Sequence, residues 1–330
     1  MTRERVFSGM QPSGRFHLGN YMGALENWVR MQDEYECIFS IVDLHALTSS
    51  FADTSKLQDN IREMAIDWLS AGLDPEKNVI FIQSHIKEHA ELSLLLGMST
   101  PLSWLERVPT YKDKLQQLGS QGKDINTYGF LGYPVLMAAD IMLYKATAVP
   151  VGEDQSAHLE LTREIVRRFN SMYHKDVFPE PKAIFSKSKT LPGIDGRKMS
   201  KSYGNTIPFG AAPKEVQERI NMMITDPQRI KKTDKGNPDV CIVYAFQKVF
   251  NEAEAPNIEK LCRAGEIGCV QCKRCLGEKM NALLADIHTR RSELEKKPGY
   301  IKEVLEDGAA KAQKIATANM LEIKEAMNVL

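Results

Sequence analysis

Short, nearly continuous apolar runs alternate with amphipathic stretches over the first half of the chain. Arg5–Ser8 (RVFS), Cys37–Val42 (CIFSIV), Val79–Gln83 (VIFIQ) and Thr147–Val151 (TAVPV) are the candidate strands. Apolar residues at consecutive positions suit strands buried on both faces. Between these runs the period lengthens. In residues 54–73, Leu57, Ile61, Met64, Ala65, Trp68 and Leu69 recur at steps of three and four, the spacing of one helix face. Thr54 is the expected cap and Gly72 the expected stop. Strands alternating with helices predict an α/β fold with a doubly wound parallel sheet.

The texture changes near residue 185. Residues 186–205 (SKSKTLPGIDGRKMSKSYGN) are rich in Ser, Lys and Gly and lack periodicity, so they read as a mobile loop. Beyond Pro213 the candidate strands give way to helical patterns in PKEVQERINMMI, CIVYAFQKVF, CKRCLGEKMNALLADIHTRRSELEKK and the segment from Tyr300. The expected organisation is an α/β domain over 1–190, a lysine-bearing loop over 191–206 and an all-helical second domain over 207–299. Helices over 300–330 are placed to pack back on the first domain. No internal repeat or low-complexity stretch is present.

The formal net charge of the 330 residues is zero, so a nucleic-acid partner would have to meet a local basic patch and not a global field. Hydrophobic residues at 43% suffice for a sizeable core. The opening MTRERVFSGMQPSG has no apolar core of a signal peptide. No apolar run approaches the roughly 18 residues of a membrane span. A cytoplasmic protein is expected, with its thiols reduced.

The first strand runs into SGMQPSGRFHLGNYMGALENWV, where Gly9 and Gly14 bracket a turn and Gly19 and Gly23 fall at a helix start. A helix start offers unpaired N–H groups and the positive end of a dipole, which suits phosphate. His17 and Asn20 can add side-chain hydrogen bonds. The pattern is neither GxGxxG nor GxxxxGK[ST], and by itself a tight strand-to-helix turn would explain it. Some 180 residues on comes Lys198-Met199-Ser200-Lys201-Ser202, two lysines flanking small residues. Such a segment can close over a polyphosphate; a solvated charged loop is the plain alternative.

HxGN after the first strand together with KMSKS resembles the class I aminoacyl-tRNA synthetases, whose catalytic domain is Rossmann-like. SGMQPSGRFHLGNYMGA, VDLHALT, YPVLMAADIMLY and VPVGEDQ, in that order, resemble the bacterial-type tryptophanyl family. The resemblance implies tryptophan activation by ATP with Mg²⁺, then transfer to the terminal 2′-hydroxyl of tRNA(Trp). It implies a homodimer, with one tRNA touching both subunits. It assigns catalysis to His17, Asn20, Lys112, Lys198 and Lys201. It places ATP at Gln11, Pro12, Ser13, Gly19, Asn20, Gly152, Asp154, Lys198, Met199, Ser200 and Lys201. Competing readings are the tyrosyl enzyme, a nucleotidylyltransferase of the same superfold and a catalytically silent RNA-binding relative.

Tryptophan selection has a basis in the residues themselves. On a helix with Pro134 in its first turn, Tyr133, Met137, Asp140 and Tyr144 fall along one face. An acid in so apolar a stretch needs a partner. Asp140 could accept an indole N–H while Met137 packs on the ring, or it could be paired within the core. The resemblance adds Phe7 and His45 beside the indole, Tyr133 and Gln155 at the α-amino group and Gln11 at the carboxylate. It assigns anticodon reading to the helical domain, where Lys231, Lys232, Lys235, Lys273 and Arg274 are candidates.

Five of the six cysteines fall between 241 and 275. Free structural thiols, a zinc site and an iron–sulfur site are all compatible with CRAGEIGCVQCKRC. Some tryptophanyl enzymes hold a [4Fe–4S] cluster through a distant cysteine followed by C-x6-C-x2-C. The resemblance therefore implies Cys241, Cys262, Cys269 and Cys272 as ligands, with Cys275 spare; Zn²⁺ is the alternative metal.

Overall fold

The structure, a computed structural model, describes residues 3–109, 111, 125–152, 155–185, 191–231 and 233–329. Five parallel strands form its sheet: β1 (Arg5–Met10), β2 (Glu36–Ile41), β3 (Val79–Ile82), β4 (Ala148–Val151) and β5 (Lys182–Phe185). Their order is β3-β2-β1-β4-β5, so the winding reverses between β1 and β4. Val6, Ile38, Phe39, Ile41 and Phe81 are fully buried, as strands covered on both faces require. β5 carries no sequence signal. Lys182 and Phe185 are exposed and only Ala183 and Ile184 are half-buried, because the strand lies at the edge and packs little.

The other edge strand, β3, is covered by the last helix, Pro298–Met327. A Cβ at Gly308 would lie 1.8 Å from the Ile80 carbonyl oxygen, so only glycine permits this approach. Around it Ile301, Val304, Leu305, Ala312 and Ala316 are buried. The chain's end thereby seals an edge that would otherwise offer unpaired backbone groups.

Among the described residues no strand follows Phe185. Helices Pro213–Asn221, Ile242–Phe250 and Cys269–Glu295 pack together through Val216, Ile220, Val243, Phe246, Leu276, Met280 and Leu284, and helix Ala255–Ala264 joins them through Ala255 and Ile258 against Tyr244. Helix Ala255–Ala264, which carries Cys262, is absent from the sequence expectations. Its Pro256 sits in the first turn and Gly265 closes it at φ 76°. Arg291 ties this helical part to helix Leu57–Ala71 through Asp67 and Glu63.

Two boundary expectations are corrected. Helix Leu57–Ala71 does stop at Gly72, at φ 110°, but Thr54 does not cap it; only the Thr54 backbone carbonyl takes part, accepting from Leu57 N at 3.0 Å. Pro134 does not open its helix. That helix runs Tyr128–Leu143, with Thr127 Oγ1 accepting from Phe130 N at 3.2 Å, and the proline lies inside. The cap and the packing of Phe130 and Tyr133 on Ile125 and Tyr111 extend the helix N-terminally.

Candidate active site

The reversal of winding places an open crevice at the carboxyl ends of β1 and β4, where ligands of such sheets bind. A cavity of about 330 Å³ lies there. Phe7 and Gln11 reach it from β1 and the turn beyond. His45 comes from helix Asp43–Ser50. Tyr133, Met137 and Asp140 come from helix Tyr128–Leu143 at steps of four and three, and Gly152 and Gln155 follow β4. All seven residues expected at the amino acid thus line one cavity. Its volume falls in the range of a small-molecule site.

Asp140 is 2% exposed, and its carboxylate is ringed by donors. Gln83 Nε2 and His89 Nδ1 reach Oδ1, each at 2.7 Å, and His45 Nε2 reaches Oδ2 at 2.9 Å. Burial alone would raise this acid. The adjoining His89 and the hydrogen bonds from His45 and His89 outweigh it and hold Asp140 down to about 2. It is therefore an acceptor throughout the neutral range. Both core pairing and cavity lining hold for Asp140, which the sequence had offered as alternatives. Gln83 and His89 escaped sequence reading because neither sits in a motif; only packing brings them to Asp140. His158 also escaped it. It lines the cavity and lies 2.7 Å from Tyr133 Oη, in a helix whose apolar period disguises it.

Residues 18–31 form one helical stretch, wound as a π-helix at Tyr21–Leu25, with Gly23 facing the cavity. Its start is locked by a reciprocal pair: His17 Nδ1 accepts from Asn20 N at 3.3 Å, and Asn20 Oδ1 accepts from His17 N at 3.2 Å. Burial and the nearby charge of Lys201 lower His17 to about 4, so it is neutral at pH 7. With Nδ1 accepting, the neutral ring carries its hydrogen on Nε2, a donor suited to a phosphate oxygen.

The KMSKS segment is docked against this start. Lys201 Nζ donates to Ser13 O and Gly14 O, both at 3.1 Å, and to Ser13 Oγ at 3.4 Å. Gly14 needs glycine, at φ 100°. Burial pushes Lys201 down to about 8. Met199 is buried, and its sulfur would lie 3.3 Å from a Cβ at Gly19. Asn205, 2% exposed, shapes the loop. Its Oδ1 accepts from Ser200 N at 2.8 Å, and its Nδ2 donates to Asp195 and to the Lys198 carbonyl. Beyond it Ile207 O accepts from Leu18 N, and Phe209 N donates to Phe16 O. Two signatures some 180 residues apart thus meet through backbone and lysine contacts. Lys112, Asp154 and Lys232 lie outside the described residues. Pro12 is buried in the turn beside Ser13.

Cys241, Cys262, Cys269 and Cys272 line one cavity of about 20 Å³ in the helical part. Cys275 does not line it; its sulfur lies 3.9 Å from Asn251 Nδ2. Arg229 Nη1 donates to Cys262 at 3.7 Å and to Cys269 at 3.9 Å, and Gln247 Nε2 donates to Cys272 at 3.5 Å. A Cβ at Gly236 would stand 2.6 Å from the Cys262 sulfur. Burial raises the thiols of Cys241, Cys262 and Cys272, the last to about 11. Among the described residues no group of three or more His, Cys, Asp or Glu could hold a metal ion. The four thiols share this cavity without being grouped around one ion position, and this bears equally on zinc and on an iron–sulfur cluster. Lys273 is held by backbone carbonyls. Its Nζ is tied to Asn221 O and Met223 O, each at 2.8 Å, so it fastens the loop.

The sequence and the fold have known relatives. The family described as tRNA synthetases class I (W and Y) matches residues 2–285. The tryptophan–tRNA ligase of Thermotoga maritima is 48% identical, with 99% of each chain covered. That of Aquifex aeolicus is 44% identical over 98% of this chain and all of its own. The tryptophanyl-tRNA synthetase of Campylobacter jejuni, solved with ADP and tryptophan, superposes with a TM-score of 0.88 at 37% identity, covering 98% of this chain and 99% of its own. A sheet that reverses at β1 and β4, a crevice at that reversal, and the HLGN and KMSKS signatures docked beside it are thus found together with full-length relatedness: the chain belongs to the class I tRNA synthetases of the tryptophan and tyrosine family.

Proposed function

We propose that this chain is a tryptophan–tRNA ligase. It joins L-tryptophan to ATP, forming tryptophanyl-AMP and pyrophosphate, and passes the tryptophanyl group to the 2′-hydroxyl of the terminal adenosine of tRNA(Trp). The observation that carries this reading is the buried Asp140 carboxylate on the wall of the 330 Å³ cavity, beside the docked HLGN and KMSKS segments. An indole N–H meets an acceptor there, whereas a phenyl ring brings no donor to the acceptor site that Gln83, His89 and His45 leave open.

In the first step a tryptophan carboxylate oxygen attacks the α-phosphorus, and the bond to the bridging oxygen of pyrophosphate breaks. No protein nucleophile is needed; positioning and charge stabilisation carry the chemistry. Gln11 orients the carboxylate, and Tyr133 and Gln155 hold the α-amino group. Phe7, His45 and Met137 enclose the indole. His17 and Asn20 hold phosphate oxygens. Lys198, Lys201 and Lys112 offset the charge of the departing pyrophosphate, and Pro12, Ser13, Gly19, Gly152, Asp154, Met199 and Ser200 frame the nucleotide. Mg²⁺ on the ATP phosphates supplies further charge neutralisation when bound. In the second step the ribose 2′-oxygen attacks the acyl carbon and AMP leaves.

The helical part reads the anticodon in this proposal. Lys231 and Arg274 support it by lining a cleft beside exposed Ile230 and Val270, a mixture suited to unstacked bases. The chain acts as a homodimer. Exposed Leu94, Met98, Leu102 and Tyr128 support that, with the Tyr128 hydroxyl 3.9 Å from where a Gly97 Cβ would stand. A [4Fe–4S] cluster on Cys241, Cys262, Cys269 and Cys272 is part of the same proposal. Its support is the shared cavity and the N–H donors of Arg229 and Gln247 at three of the sulfurs, contacts that cluster thiolates accept. Such a cluster would act as a structural staple. Anaerobically purified protein should then be brown and carry four iron and four sulfide per chain, a stoichiometry that follows from the cluster formula; colourless, iron-free protein would remove it.

The deciding experiment is amino-acid-dependent ATP–pyrophosphate exchange with tryptophan and tyrosine side by side. Exchange with tryptophan is expected. Exchange with tyrosine instead, or with neither, would overturn the proposal.

A further inference from the structure

Asp140 is held from behind by residues that never reach the cavity. His89 is 0% exposed on helix Glu88–Ser99, and Gln83 is 0% exposed just after β3. A carboxylate only accepts, so His89 Nδ1 carries the hydrogen that points at Asp140 Oδ1. The other ring nitrogen, His89 Nε2, lies 2.8 Å from Tyr144 Oη. Tyr144 is itself 0% exposed. Its ring stacks on Phe7 at 5.4 Å and 7°, and Phe7 lines the cavity. Tyr144, His89 and Asp140 thus form a continuous polar chain ending at the cavity wall.

The geometry leaves a specific remainder. A carboxylate offers about four lone-pair sites. Gln83 and His89 occupy two on Oδ1, and His45 occupies one on Oδ2. One Oδ2 site is left over, on the oxygen that shares its contact with cavity-lining His45. A histidine and tyrosine buried this fully would pack more simply as apolar residues, so their polar atoms need a return.

We infer that His89, fixed by Tyr144, is a positioning residue: it turns the Asp140 carboxylate so that its remaining acceptor site faces the cavity, and so sets the preference for an aromatic amino acid bearing a ring N–H. This deepens the proposed tryptophan specificity and rests on it. His89 touches no substrate; it acts only through Asp140.

The test compares L-tryptophan with β-(3-benzothienyl)-L-alanine, in which sulfur replaces the ring N–H, in ATP–pyrophosphate exchange. One hydrogen bond to a charged acceptor is worth roughly 10- to 100-fold in this ratio. His89→Leu should raise KM for tryptophan by about that factor with kcat little changed, and leave KM for the sulfur analogue nearly constant. His89→Asn keeps an N–H donor near the Nδ1 position and should restore most of the discrimination. Tyr144→Phe, the milder change, should lower the ratio by about threefold or more and carries the test if His89→Leu does not fold. Equal losses for both amino acids, a fall in kcat alone, or an unchanged ratio in Tyr144→Phe would overturn the inference. Wild-type exchange with tryptophan but no discrimination against the sulfur analogue would also overturn it while leaving the ligase reading intact. No wild-type exchange with tryptophan would instead overturn the ligase reading.

Discussion

Replacing Lys201 with alanine should slow tryptophan activation while leaving tryptophan affinity almost unchanged. At about 4 Å from a pyrophosphate charge, with an effective dielectric constant of about 20, one ammonium contributes roughly 4 kcal/mol. Lys201 is already engaged before ATP arrives: its Nζ donates to Ser13 O and Gly14 O, both at 3.1 Å. Leaving each of those bonds costs about 0.5–1.5 kcal/mol. The difference is roughly 1–3 kcal/mol, or about 10- to 100-fold in rate. Rapid chemical quench of a single turnover measures tryptophanyl-AMP formation, and equilibrium dialysis measures tryptophan binding. The cavity residues expected around the indole do not include Lys201, so the binding constant should shift by no more than about twofold. Equal losses in rate and affinity would refute the charge-stabilising role, and an unaltered rate would refute any role.

Three further outcomes follow from the same contacts. Burial lowers Lys201 to about 8, and a polyphosphate should restore its ordinary value. ATP binding near pH 8 should therefore take up about half a proton, detectable by calorimetry in buffers of different ionisation heat and absent in Lys201→Ala. Arg291 is paired with Asp67 and Glu63 in the seam between the two parts, and Arg291→Ala should cost about 3–5 kcal/mol by urea denaturation at pH 8. Burial already pushes Asp67 up to about 7 despite Arg291. An acid raised on folding binds its proton more tightly in the folded state, so the variant's deficit should shrink as pH falls below 7 and Asp67 protonates; a deficit growing at pH 5.5 would contradict this. Gly308→Val places carbon against the Ile80 carbonyl, where even a Cβ would stand at 1.8 Å, and should destabilise by several kcal/mol through displacement of the last helix. An unchanged melting midpoint would show that the helix does not seal β3 as described.

The strands buried on both faces were legible in the chain because continuous apolar runs leave little else to form. Gly72 was legible as a stop, and HLGN and KMSKS as motifs, because each depends on local chemistry at fixed spacing; that the two motifs meet is what the structure adds. The face of Tyr133, Met137 and Asp140 followed from helical period even though the helix start was misplaced, since the period does not depend on where the helix begins. β5 was not legible because an exposed edge strand imposes no apolar pattern. Asn205, His158, Gln83 and His89 were not legible for a different reason. Each acts on a group from another part of the fold, Asn205 across a turn and the others across packed elements, and sequence period carries no record of partners 5, 25, 57 and 51 positions away. What the sequence alone determined was the set of chemical groups and their local frames. What only the tertiary structure decided was which of Asp140's acceptor sites are already filled, because that depends on three donors brought together from three separate elements around one buried carboxylate.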